Sequence, residues 1–200
     1  MKKTIKILST TVAIYIMGIG HSLQAQPLYK MSNSADINMK LSGTSTLHKW
    51  SMNTKTFTGG AQFGFKQGNA AMLTSLKSLN FSLPVLNLKS GEKKLDKNAY
   101  KALKTEQFKN IVYKLTSATV MPGKDNKYLV KANGDLSISG VTKNVAMNVY
   151  CWVNKDASIT CTGTDKLKMT DYNVKPPSFM AGAMKTGDDI TLDFTLVYKK

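Results

Sequence analysis

Residues 128–139 read YLVKANGDLSIS, with Tyr128, Val130, Ala132, Gly134, Leu136 and Ile138 at every second position. Lys131, Asn133, Asp135, Ser137 and Ser139 alternate with them. A period of two gives a strand one apolar face and one wet face. After Gly140, the run Val145, Met147, Val149, Cys151, Val153 repeats the pattern. Two further runs follow, Ile159 to Met169 and then Ile190, Leu192, Phe194, Leu196 and Tyr198. Consecutive half-apolar strands joined by short turns predict an antiparallel sheet that closes on itself to hide its apolar side.

Working back toward the N-terminus, Tyr29 to Met31 and Ile37, Met39 and Leu41 predict an opening strand or strand pair. A turn is expected at Gly43-Thr44-Ser45-Thr46, a second run at His48 to Phe57, and a tight reversal at Gly59-Gly60. Ala61, Phe63 and Phe65 alternate until Gly68-Asn69, and Leu79, Phe81 and Leu83 form another face stopped by Pro84. From Ser90 to Leu103 the period changes: Leu95, Ala99, Ala102 and Leu103 share one helical face. Ser90 is the expected N-cap, with Glu92 in the first turn. A strand through Ile111, Tyr113 and Leu115 follows, then an open loop at Pro122 to Asn126. The fold class is all-β: one antiparallel, lipocalin-like barrel of about eight strands with one short helix.

At the start, Lys2, Lys3 and Lys6 precede the apolar run Ile7 to Ile19, and small or polar residues occupy Ser22 to Ala25. That layout predicts a secretory signal peptide over residues 1–25, too short for a membrane span, and a barrel domain over 26–200. The expected location is periplasmic or secreted. The formal charge is +16, about +13 without the three leader lysines, and arginine is absent. Recognition of phosphates and bases leans on planar guanidinium forks, so a lysine-only chain argues against a nucleic-acid partner. It suits solubility and peripheral attraction to anionic membrane.

Cys151 and Cys161 flank Asn154-Lys155-Asp156-Ala157, a hairpin turn, and lie opposite one another in that register. In an exported chain this predicts a cross-strand disulfide; two reduced core cysteines are the alternative. No metal site and no cofactor is expected, because His48 is the sole histidine after the leader. His48 with Asp36 or Ser45 resembles a fragment of a triad but lacks a nucleophile elbow, and Asp188 and Asp189 point to opposite faces. The chain is expected to be no enzyme, with no catalytic residue.

One connection is unusually apolar: Val174 to Met184 carries Phe179, Met180 and Met184 where turn chemistry is expected. Such residues must fold back on something apolar, as a plug or as a lip around a mouth.

Leu95-Asp96-Lys97, Tyr100-Lys101-Ala102-Leu103-Lys104-Thr105, Phe108-Lys109-Asn110-Ile111 and Gly134 to Val145, with its Gly140-Val141-Thr142-Lys143 turn, resemble the YceI-like family. So do Ser42 to Trp50 and Lys175-Pro176-Pro177 to Gly187-Asp188. Asn144 and Lys109-Asn110 depart from the family's prolines. The resemblance implies a lipocalin-like barrel, exported, with an elongated apolar tunnel that in some members holds a polyisoprenoid chain.

The expected ligand is thus a long apolar chain such as a polyisoprenoid. The expected lining is Phe63, Phe65, Phe81, Leu83, Tyr113, Leu136, Ile138, Met147, Val149, Phe194 and Leu196, with Phe179, Met180 and Met184 at the lip. Met39, Met147, Met169, Met180 and Met184 would supply adaptable contacts, or ordinary core filling. For a phosphate head, position alone suggests Lys143, Lys175 or Lys185. The competing reading is a filled barrel acting through its lysine-rich exterior. Nothing in the pattern fixes an oligomeric state.

Overall fold

A computed structural model describes residues 27–32, 37–124, 127–179 and 182–200. The signal-peptide reading, Asp36 and Met180 lie outside them.

Eleven strands and one helix are described. The strands are β1 (Leu28–Met31), β2 (Asn38–Ser45), β3 (Lys49–Thr54), β4 (Thr58–Lys66) and β5 (Asn69–Pro84). Then come helix α1 (Lys93–Ala102), β6 (Asn110–Pro122), β7 (Tyr128–Ile138) and β8 (Val141–Val153). β9 (Ile159–Lys168), the short β10 (Ser178–Phe179) and β11 (Met184–Lys199) complete the set. β1 and β2 follow one another along β11, and β3 and β4 run back beside them. From β4 onward each strand pairs with its successor, β10 aside, and β11 closes on β1 and β2. The result is an up-and-down ring of eight strand positions, in which the outer edge of β3 is met through the Asn53–Lys89 bridge.

The alternation of β7 is realised as read: Tyr128, Val130, Ala132 and Leu136 are buried. The β7–β8 connection is two residues, Ser139 at φ 50° and Gly140 at φ 81°. Positive φ at both central positions is the hairpin turn whose twist matches the strands. In the β8–β9 hairpin Cys151 stands opposite Cys161, with Cα atoms 4.2 Å apart and a disulfide between them. Replacing both with alanine is expected to lower the unfolding free energy by about 2–3 kcal/mol, as a loop this short gains little more; urea denaturation without reductant measures it.

Three expectations are corrected. Gly59-Gly60 is not a reversal but lies inside β4, where a side chain at Gly59 would run into the Asn80 carbonyl of β5. Here glycine permits close strand approach rather than a turn. The strand expected to turn at Gly43 continues to Ser45, and the turn is 46–48, closed by a hydrogen bond from Ser45 N to His48 O at 2.9 Å. The helix begins at Lys93, and Ser90 does not cap it: its Oγ donates to Asp96 Oδ1 at 2.7 Å.

One end of the barrel carries the 46–48 turn, the 85–109 segment with α1, the Ser139-Gly140 turn and the 169–179 segment. At the other end, the Tyr29 and Phe63 rings meet edge to face with centroids 5.5 Å apart, and Phe63 meets Tyr198 at 5.5 Å. These three are almost wholly buried and form a floor. α1 is tied to the barrel by Tyr100, whose hydroxyl donates to Leu88 O at 2.7 Å and accepts from Lys89 Nζ at 2.9 Å.

Candidate functional site

The inward faces leave two adjoining apolar spaces. A mouth chamber of about 410 Å³ opens at the α1 end. A smaller chamber of about 120 Å³ lies deeper, toward the floor. Leu41, Ile111, Ile138 and Leu167 line both, so they form the collar where the chambers meet. These four come from β2, β6, β7 and β9, around the ring, which makes the collar a property of barrel closure.

The mouth chamber is roofed by the apolar face of α1: Leu95, Ala99, Ala102 and the following Leu103 all line it. The lysines of α1 face away, apart from Lys94, which reaches the rim. Across from the helix stand Thr46, Leu47, His48 and Trp50. Leu47, at the tip of the 46–48 turn, is 65% exposed. Thr46 locks this turn to β11: its N–H donates to Lys185 O at 2.9 Å, and its Oγ1 accepts from Lys185 N at 2.9 Å.

The 169–177 segment borders the mouth, with Met169, Tyr172, Val174 and Pro177 in its lining. The β8–β9 ladder pairs only Val149–Val153 with Ile159–Gly163, leaving the mouth halves of these strands unpaired with each other. The turn at Thr170–Tyr172 packs against both strands, and Tyr172 and Val174 are buried. This segment therefore completes the wall where the ladder stops. Asp188 anchors it, accepting Thr170 N at 2.9 Å and Thr170 Oγ1 at 2.6 Å. Those bonds hold the Asp188 carboxyl below its usual range. Burial, helped by Asp171 and Asp165, pushes the Tyr172 hydroxyl up to about 12. On β9, burial also raises the Asp165 carboxyl, against an opposing backbone hydrogen bond from Lys166.

Of the residues expected at the site, Phe63, Phe81, Leu83, Tyr113, Leu136, Met147, Val149, Phe194 and Leu196 line the deep chamber. Ile138 is part of the collar. Met39 lines the deep chamber, and Met169 and Met184 the mouth. Phe65 is placed elsewhere. Register shifts in the β4–β5 ladder flank it, and its half-buried ring lies 6.1 Å from Tyr29, lining neither chamber. Phe179 is in β10, paired with Met184. Of the three lysines, Lys185 lines the mouth, whereas Lys143 and Lys175 are exposed and line neither chamber. Lys94 and Lys168 stand at the mouth instead. The alternation points to the deep lining, but rim lysines depend on how α1 and the end of β9 are set, which periodicity does not encode.

His48 is exposed, and its carbonyl accepts from Ser45 Oγ at 2.8 Å. Its backbone N–H also donates to Ser45 Oγ at 3.2 Å, so Ser45 serves turn closure. No cluster of three or more metal-ligating side chains occurs among the described residues. No helix among them is long and apolar enough to cross a membrane.

The sequence pattern of the YceI-like domain matches residues 31–198. The chain belongs to the YceI-like family. As a YceI-like protein it has solved structural counterparts with the same antiparallel barrel. BcnA from Burkholderia cenocepacia superposes with a TM-score of 0.62 at 18% identity, over 84% of this chain and 98% of its own. A polyisoprenoid-binding domain from Saccharophagus degradans, implicated in plant cell wall breakdown, gives 0.63 at 13% identity, over 86% and 97%. The Campylobacter jejuni YceI protein gives 0.53 at 18% identity, over 71% and 81%. No curated protein sequence matches the chain. At these identities the likeness carries the barrel alone, and the function has to be argued from the site.

Proposed function

We propose that this YceI-like protein is a non-catalytic binder of one long apolar chain, such as a polyisoprenoid, acting as carrier or reservoir in the periplasm or outside the cell. The observation that carries it is the pair of adjoining apolar chambers that share the Leu41, Ile111, Ile138 and Leu167 collar. A flexible chain could thread from mouth to floor and exchange water for hydrocarbon contact along its length. Burial of apolar area at about 25 cal/mol per Å² makes that exchange favourable without any polar recognition. Met39, Met147 and Met184 add contacts that can adjust to the branching of the chain. The fold shared with a polyisoprenoid-binding domain supports the same ligand class.

For a ligand ending in phosphate, Lys94, Lys168 and Lys185 at the mouth are the cations within reach, with the chain entering tail-first. The leader read over residues 1–25 supports export, and peripheral contact with anionic membrane would bring the mouth to its source of lipid.

The test is organic extraction of the purified protein followed by mass spectrometry. A chain-like lipid in stoichiometric amount is expected. Protein that yields none and also takes up no apolar fluorescent probe would sink the proposal.

A further inference from the structure

In the wall of the deep chamber two residues carry hydroxyls that its apolar surface covers. Tyr113 of β6 and Tyr198 of β11 both line it, and each is at least 95% buried, at 5% and 0% exposure. Among the described residues, their hydroxyls are the buried side-chain polar atoms with no hydrogen-bond partner. Elsewhere the fold satisfies such groups: the Tyr128 hydroxyl donates to Ala71 O at 3.2 Å, and Tyr100 donates to Leu88 O at 2.7 Å. A buried hydroxyl left unpaired is costly, and phenylalanine would fill the same space without that cost.

The placement of Tyr113 is built into its neighbour. Gly134 of β7 is inward-facing, and any Cβ there would overlap the ring and hydroxyl of Tyr113. The missing side chain is what lets the phenol lie along the inner face of β7. Burial pushes the Tyr113 hydroxyl up to about 12, with a smaller contribution from Asp135. Burial raises Tyr198 too, and Tyr113 adds to it by the mutual repulsion the two would feel if ionised. Both therefore stay protonated at neutral pH and serve as donors.

We propose that Tyr113 and Tyr198 form a polar subsite for an uncharged oxygen, a hydroxyl or carbonyl, at the leading end of the bound chain. The inference rests on the apolar-chain reading above and adds an orientation: a neutral oxygen-ended chain enters oxygen-first. Among the described residues, no basic side chain lines the deep chamber. A phosphate or carboxylate there would be a buried, unpaired anion, so charged ends stay at the lysine-bearing mouth. Met39 and Met147 are in the same lining, and their flexible side chains let the chamber reshape around a ligand that reaches the hydroxyls.

The experiment compares farnesol with farnesene, the same fifteen-carbon skeleton without oxygen, on the full-length protein and on Tyr113→Phe, Tyr198→Phe and the double variant. Displacement of an apolar fluorophore reads affinity, and the tyrosine ultraviolet difference band reads hydrogen bonding. The double variant is expected to bind farnesol about tenfold more weakly, the size of one or two neutral hydrogen bonds. It should bind farnesene unchanged, lose the difference band and keep or raise its melting temperature. Each single variant should show about a threefold loss, which keeps the test open if the double variant folds poorly. Farnesol affinity unaltered in all variants would overturn the subsite while leaving the apolar-chain reading in place, and would assign the hydroxyls to water. Failure of the wild type to bind either compound would overturn both.

Discussion

Leu136→Trp is expected to abolish uptake of a polyisoprenoid while the barrel still folds. Leu136 is buried on the inward face of β7, opposite Tyr113 on β6, and lines the deep chamber immediately below the collar residue Ile138. An indole there consumes much of a space of about 120 Å³ and blocks the way from mouth to floor. Affinity for the chain should fall by a factor of about 100 or more, set by the buried apolar area lost. Overpacking should cost about 1–3 kcal/mol of stability, read from urea denaturation. Ser137→Trp is the control, since Ser137 is half-buried on the other face of β7 and bonds Thr142 Oγ1 at 2.7 Å. Its uptake should change by no more than about twofold. If the protein instead acts through its lysine exterior, Leu136→Trp leaves adhesion to anionic vesicles intact, and that adhesion fades as salt rises.

Phe63→Ala is expected to have the largest effect on stability. Phe63 is 1% exposed and makes edge-to-face contact with both Tyr29 and Tyr198. Truncation removes buried area and two aromatic contacts from a floor with little freedom to collapse. The loss should be about 3–5 kcal/mol. The same cavity lengthens the deep chamber, so the variant should accept isoprenoid alcohols one unit longer than the wild type does. Chain-length profiles by fluorophore displacement, at a temperature where both proteins are folded, check this. An unchanged length limit would mean that the floor is not where the chain ends.

Much of this barrel is legible in the sequence because most strands face hydrocarbon on one side and water on the other. β7 and β8 are regular in register along their whole shared ladder, so their alternation maps onto the inward face. β5 is different. Its first half pairs with β4 through register shifts, and it buries Leu73 and Leu76, three residues apart, so no period of two survives there. Gly59-Gly60 misleads because glycine serves either a turn or a close strand crossing, and only the partner strand decides which. The apolar 174–184 connection is legible as something folded inward. That the Thr170–Tyr172 turn just before it completes the wall beside a truncated β8–β9 ladder is a tertiary fact. Tyr198 reads as one more apolar strand residue, since pattern alone cannot show that its hydroxyl lacks a partner.

The direct measurement is a crystal structure of the protein loaded with a single long isoprenoid alcohol, geranylgeraniol. Continuous density for the chain is expected to pass between Leu41, Ile111, Ile138 and Leu167 and to end against the ring cluster of Tyr29, Phe63 and Tyr198. Density confined to the outer chamber, or a deep chamber closed by protein side chains with the alcohol bound elsewhere, would contradict the account.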